Sequence, residues 1–261
     1  MGKNKTENKM SDKKTVLAVG AHPDDVEILC AGTLALLKEK GWEIVISTMT
    51  AGDCGSAKLN KEEISAIRIK EAKRSAKLLN SEYICLGNND IFLFYDKPTL
   101  IKSINLIREV KPDLVITHSP EDYMIDHEVT SSLIRTACFS AGMKNIQTEE
   151  KPYYRVPHLY YMDALEGKNI FGGKIEPTMI VDISSVIDKK EEMLLMHDSQ
   201  RSWLMEHHGI DEYIISMKNF SASRGEIIGS KYGEGFKQHL GHAYPQNNIL
   251  KEEMNELVRI V

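Results

Sequence analysis

Apolar positions along the chain follow two periods. Val16-Leu17-Ala18-Val19-Gly20 is an unbroken run of small and apolar residues, the pattern of a strand buried on both faces. From Val26 to Lys40, Ile28, Leu29, Ala31, Leu34, Ala35 and Leu37 recur at helical spacing, and Gly41 supplies a stop. Glu43–Thr50 predicts a second strand. Lys61–Leu79 predicts a long amphipathic helix with Ile64, Ile67, Ala72, Ala76 and Leu79 inward. Glu82–Leu86 reads as a third strand, Thr99–Val110 as a helix entered through Pro98, Asp113–His118 as a fourth strand, and Glu128 to Ala141 as a helix. This β-α-β-α-β-α-β-α order predicts an α/β fold, a mostly parallel sheet with helices on both faces and right-handed crossovers.

The second half is less regular. His158–Met162 and Thr178–Ile183 predict two further strands, and Ser184 and Ser185 offer N-caps for a helix running towards Trp203. Residues 210–240 read as helical pieces broken at Gly225 and Gly229, and the tail from Ile249 as a helix. Residues 1–14 are polar and lysine-rich, the composition of a mobile tail. No repeat or low-complexity linker divides the rest. Residues 15–261 therefore read as one domain, with residues 150–261 shaping its pocket.

Composition narrows the class. The 261 residues are 42% hydrophobic and 27% charged, ordinary for a globular protein. A net charge of −5 and a pI near 6.0 lack the basic footprint of a nucleic-acid-binding domain. No apolar run is long enough to span a membrane, and no secretory h-region is present. Cys30, Cys54, Cys85 and Cys138 are widely spaced, the usage of buried free thiols in a reducing compartment. The chain is expected in the cytoplasm, without membrane or nucleic-acid partners.

The chemistry concentrates at strand ends. The first strand delivers His22, Asp24 and Asp25, and open α/β sheets bind ligands at the carboxyl ends of their strands. His22 and Asp25 stand at i and i+3, on one side of a helical turn. Three ionisable groups there read as metal ligands with a base beside them. A catalytic zinc takes three protein ligands and leaves a position for water. The third ligand is expected from beyond strand four, where His118, Asp122, Asp126 and His127 are candidates.

Ala21-His22-Pro23-Asp24-Asp25 together with Asp126-His127 resembles the LmbE/PIG-L family, zinc-dependent N-deacetylases of acetamido sugars and sugar conjugates. Supporting stretches are Thr50-Ala51-Gly52-Asp53, Arg68-Ile69-Lys70-Glu71, His197-Asp198-Ser199-Gln200 and Tyr232-Gly233-Glu234-Gly235-Phe236, so the resemblance covers most of residues 15–240. It implies a Rossmann-like fold and homo-oligomers. It also implies one Zn2+ per chain on His22, Asp25 and His127, with another divalent metal as an alternative, and Asp24 as general base. The substrate it implies is a small acetamido sugar. Many members carry His-Pro-Asp-His where this chain has Met124-Ile125-Asp126-His127, and the missing histidine is the one usually held to stabilise the oxyanion or act as acid. Asp126, which normally orients that histidine, is retained and is a catalytic candidate. Met124 can donate neither a proton nor a strong hydrogen bond.

Among other residues, Asp53, Arg68 and His118 are candidates for substrate contact. Asp53 also suits turn chemistry beside Gly52 and Gly55, and Arg68 a helix-surface pair with Glu63 or Glu71. His197, Gln200, His207 and His208 are candidates for the pocket or for caps. The pairs Tyr153-Tyr154 and Tyr160-Tyr161 suit either a sugar-binding wall or strand packing. Three other activities fit the same residues. They are a zinc-dependent hydratase on the same scaffold, non-heme iron chemistry on two histidines and a carboxylate, and a metal-binding protein without activity.

Overall fold

Both faces of the first strand are covered, so its side chains supply two cores at once. In the computed structural model, which describes residues 13–201 and 212–261, Val16 and Ala18 of β1 (Thr15–Gly20) pack into one core with Leu34 and Ala72. Leu17 and Val19 pack into the other with Leu106, Ile107, Leu133 and Ile134. The alternation follows from the two-residue period of a strand.

Five strands run parallel: β1, β2 (Glu43–Thr50), β3 (Glu82–Asn88), β4 (Leu114–Thr117) and β5 (His158–Met162). Three more continue the sheet antiparallel: β6 (Met179–Asp182), β7 (Gly233–Gln238) and β8 (Val258–Ile260). The order is β3-β2-β1-β4-β5-β7-β6-β8, and the direction of winding reverses between β1 and β4. Helices α1 (Asp25–Leu29), α2 (Ala31–Glu39), α3 (Lys61–Lys77) and α6 (Ile187–Leu194) cover one face; α4 (Lys97–Val110) and α5 (Ile125–Ser140) cover the other. Helix α7 (Glu212–Ile228) packs on β6 and β7, and α8 (Ile249–Met254) packs beside α2.

Four expectations about the elements need correction. The helix expected from Ser184 towards Trp203 is instead α6, which starts at Ile187 after Val186 without a side-chain cap and ends at Leu194. The single helix expected from Val26 to Lys40 is two, because Cys30 leaves helical geometry at φ −146°. The break is held from outside: Glu234 of β7 accepts hydrogen bonds from the Gly32 and Thr33 amides and the Thr33 hydroxyl, capping α2 with a buried carboxylate. Residues 212–228 form one helix, not pieces. Gly225 sits inside it, since a side chain there would meet the Tyr232 backbone, and Gly229, at φ +72°, ends it. Strands β7 and β8 were not expected. Gly-Glu-Gly-Phe-Lys-Gln carries little strand propensity, and its Gly235 exists because the Asp163 carboxylate lies where a Cβ would be.

Cys54 is exposed, against the expectation that the thiols are buried; Cys30 and Cys138 are buried and Cys85 partly so. The expected tail, except for Lys13 and Lys14, lies outside the described residues, as do Trp203, His207 and His208. Among the described residues no helix is long and apolar enough to cross a membrane.

Glu234 is neutralised by Lys190 at 2.6 Å, and both side chains are buried. Removing one partner of a buried pair is costly. Glu234→Ala is expected to cost about 4 kcal/mol, because it strands a cation and uncaps α2. Lys190→Met is expected to cost about 2 kcal/mol, because the α2 amides still hold the carboxylate. Urea unfolding of both variants checks the order.

Candidate metal centre

The site lies where β1 and β4 deliver their carboxyl ends, at the reversal of winding. After β1 the chain turns sharply. The His22 amide donates to Asp25 Oδ2 at 2.7 Å, and Asp24 adopts φ +108°, a strained conformation for a residue with a side chain. Gly20 permits the turn, because a Cβ there would stand 2.9 Å from that of Asp25. After β4, the first turn of α5 presents Asp126 and His127. The loop after β3 contributes Asp90.

His22, Asp25 and His127 each offer a ligand atom, all within 4.8 Å of one another. His127 Nδ1 faces Asp122 Oδ1 at 3.0 Å, while its buried Nε2 has no hydrogen-bond partner. His22 Nε2 faces Asp90 Oδ1 at 3.0 Å and Asp126 Oδ2 at 3.3 Å, and its Nδ1 lies 3.5 Å from Asp25 Oδ2. Each imidazole thus meets a carboxylate at one nitrogen and turns the other to Asp25. That is how outer carboxylates orient metal-binding histidines. The orphaned Nε2 and the two-imidazole, one-carboxylate donor set fit a divalent transition ion. Burial opposes the charged forms here. Even so, His127 and His118 hold the Asp25 carboxyl well below the usual range, and Asp25 and Asp122 push His127 up to about 9. Two other groups, His118–Asp122–His127 and His22–Asp90–Asp126, also cluster tightly. Each borrows an imidazole from the first set, and Asp122 is already engaged with His127 Nδ1.

Asp24 points to the other side. Its Oδ2 accepts the Tyr213 hydroxyl at 2.5 Å and lies 3.5 Å from Arg68 Nη2. Burial raises its pKa and Arg68 restrains the rise. Arg68 also donates to Pro23 O at 2.7 Å and Gly52 O at 3.3 Å. Gly52 and Gly55 lack side chains where the guanidinium passes: a Cβ on Gly52 would stand 2.2 Å from Arg68 Nη1. Arg68 lines the cavity and pairs with neither Glu63, which caps α3 at Asn60, nor Glu71, which accepts the Ser199 amide and hydroxyl.

Other expected residues sit elsewhere. His118 is fully buried, stacks on His127 at 3.9 Å, and has Nε2 3.0 Å from Asp25 Oδ2; it does not line the cavity. Asp53 accepts the Asp90 amide at 2.7 Å and pairs with Lys61 at 3.1 Å, so it braces a loop outside the cavity wall. Asp126 is likewise buried behind His22, where its Oδ2 accepts the Ile91 amide at 2.8 Å. His197 pairs with Glu27 in the interior, whereas Gln200 lines the cavity. Tyr160 and Tyr161 pack within the sheet. Tyr213 and Asp90 were missed. Neither belongs to a motif, and only the folded chain brings them in.

The cavity measures about 710 Å3. Residues 17–138 match the family model described as PIG-L: GlcNAc-PI de-N-acetylase. The chain is 26% identical over 237 residues to diacetylchitobiose deacetylase of Thermococcus kodakarensis, covering 87% of this chain and 84% of that one. It is 29% identical over 191 residues to 4-oxalmesaconate hydratase of Pseudomonas putida, covering 70% and 72%. The structure of N,N'-diacetylchitobiose deacetylase from Pyrococcus horikoshii superposes with a TM-score of 0.74 at 26% identity, covering 93% of this chain and 91% of that one.

If Asp122 fixes the His127 ring, Asp122→Asn weakens divalent-metal affinity about 10- to 100-fold with all three ligands in place. Titration with a competing chelator measures it.

Proposed function

We propose that this chain, which matches the PIG-L family model over residues 17–138 and is similar to N-acetyl-sugar deacetylases, removes an N-acyl group, acetyl in the simplest case, from an amino sugar or sugar conjugate. The observation that carries this reading is a three-residue ligand set in which the buried His127 Nε2 has no hydrogen-bond partner and lies 3.5 Å from Asp25 Oδ1, beside a cavity that Asp24 also lines. His22, Asp25 and His127 would hold one divalent ion, zinc in our reading. Such an ion would supply Lewis acidity towards an amide carbonyl and would lower the pKa of water towards neutral pH.

The rest of the work falls to the chain. Asp24 accepts a proton from the water that adds to the carbonyl carbon. As the C–N bond breaks, it returns that proton to the departing amine. Arg68 and Tyr213 hold its carboxylate in place in the cavity lining. Its raised pKa suits a group that must both take and give a proton. Met124 lines the cavity and offers no proton; in our reading Asp24 serves both steps.

A hydratase is the second reading, favoured by the Pseudomonas relative and by Met124. Incubating zinc-loaded protein with N-acetylated sugars and sugar conjugates separates the two, since only hydrolysis releases a free amine. Asp24→Asn is expected to lower the hydrolytic rate about 10^2- to 10^4-fold while the metal content stays at one per chain. An unchanged rate in that variant contradicts Asp24 as the base. Chelation is expected to abolish turnover and added zinc to restore it.

A further inference from the structure

The cavity carries two chemistries. Besides carboxylates and imidazoles, its lining includes Ile28, Leu29, Leu165, Met217 and Phe220. Tyr213, Met217 and Phe220 stand at i, i+4 and i+7 on α7, so the helical face that touches Asp24 carries apolar side chains along the cavity, with Ser216 beside them. The wall is braced. Leu29 and Met217 are buried, and the Phe220 ring lies 5.1 Å from the Arg224 guanidinium, which Asp163 fixes at 2.7 Å.

A sugar alone gains little from this surface. Each hydroxyl laid against it gives up hydrogen bonds to water without replacement, whereas each methylene gains by leaving water. A volume of about 710 Å3 lies in the range that takes drug-sized ligands, more than one acetamido group and its ring require. Met124 adds apolar surface to the same cavity.

We propose that the preferred substrate is an amphiphilic amide, with its amide at the His22–Asp25–His127 end and an aliphatic or aromatic substituent along Ile28, Leu29, Leu165, Met217 and Phe220. This rests on the hydrolase reading above. The apolar group arrives either as a longer acyl chain or as a substituent on the amine side.

Two series separate these sources: N-acylglucosamines of two to eight acyl carbons, and alkyl glycosides of N-acetylglucosamine with one to eight alkyl carbons. In one series kcat/KM is expected to rise about three- to fourfold per methylene until the wall is filled, and Phe220→Ser is expected to flatten the rise. A flat or falling dependence in both series, with the acetyl compounds still hydrolysed, overturns the proposal and leaves the hydrolase reading intact. Calorimetric titration of metal-loaded Asp24→Asn protein with the same compounds needs no turnover. Affinity that climbs with chain length supports the wall even if no amine is ever released, and equal affinities overturn it.

Discussion

Everything at this site depends on carboxylates that hold two imidazoles at fixed angles. Asp122 takes one nitrogen of His127, and Asp90 with Asp126 takes one nitrogen of His22. What remains of each ring is aimed at Asp25. Without those outer contacts the rings would keep rotamer freedom, and a three-point grip would have to be assembled against entropy each time. His118, stacked on His127 and in contact with Asp25, completes the brace from behind.

The loops that carry these groups are tied to one another. Asp53 accepts the Asp90 amide, Asp90 accepts the Cys54 amide, and Asp126 accepts the Ile91 amide. Ile91 sits at φ +67°, costly for a β-branched residue, and the flanking hydrogen bonds keep it there. The strain of Asp24 at φ +108° is contained in the same way, by Arg68 and Tyr213 on its carboxylate. Carboxylates from outside the motif do structural work beyond the site: Glu71 anchors Ser199, and Glu234 caps α2. The supporting stretches around Arg68, Ser199 and Glu234 are therefore contact partners of the central turn and its helices, and Arg68 and Gln200 also line the cavity.

Legibility in the sequence followed locality. The parallel half of the sheet was readable because β1, β2, β3, β4 and β5 are apolar runs between helical periods. The strand β7 was not, because its Gly235 answers to Asp163 and its Gly233 to Ile180 and the backbone of Arg224 and Gly225, and neither leaves a hydrophobic signature. At the site, His22 and Asp25 could be read from one short motif at a strand end, whereas the residues left the third ligand open among His118, Asp122, Asp126 and His127, and it was the family resemblance that singled out His127, which the fold brings beside them. The placements of His118, Asp53 and Asp126 could not, because which side of a ligand a buried polar group occupies depends on tertiary packing. Asp90 and Tyr213 reach the centre from loops and helices whose own sequence says nothing of it.

In our proposal His22, Asp25 and His127 together hold one divalent ion. Anomalous diffraction at the zinc absorption edge from crystals of zinc-loaded protein tests it most directly. The account predicts a single strong peak per chain, about 2.0–2.2 Å from a nitrogen of each imidazole and an oxygen of Asp25. A peak seated instead between His118 and Asp122, or between Asp90 and Asp126, would contradict it.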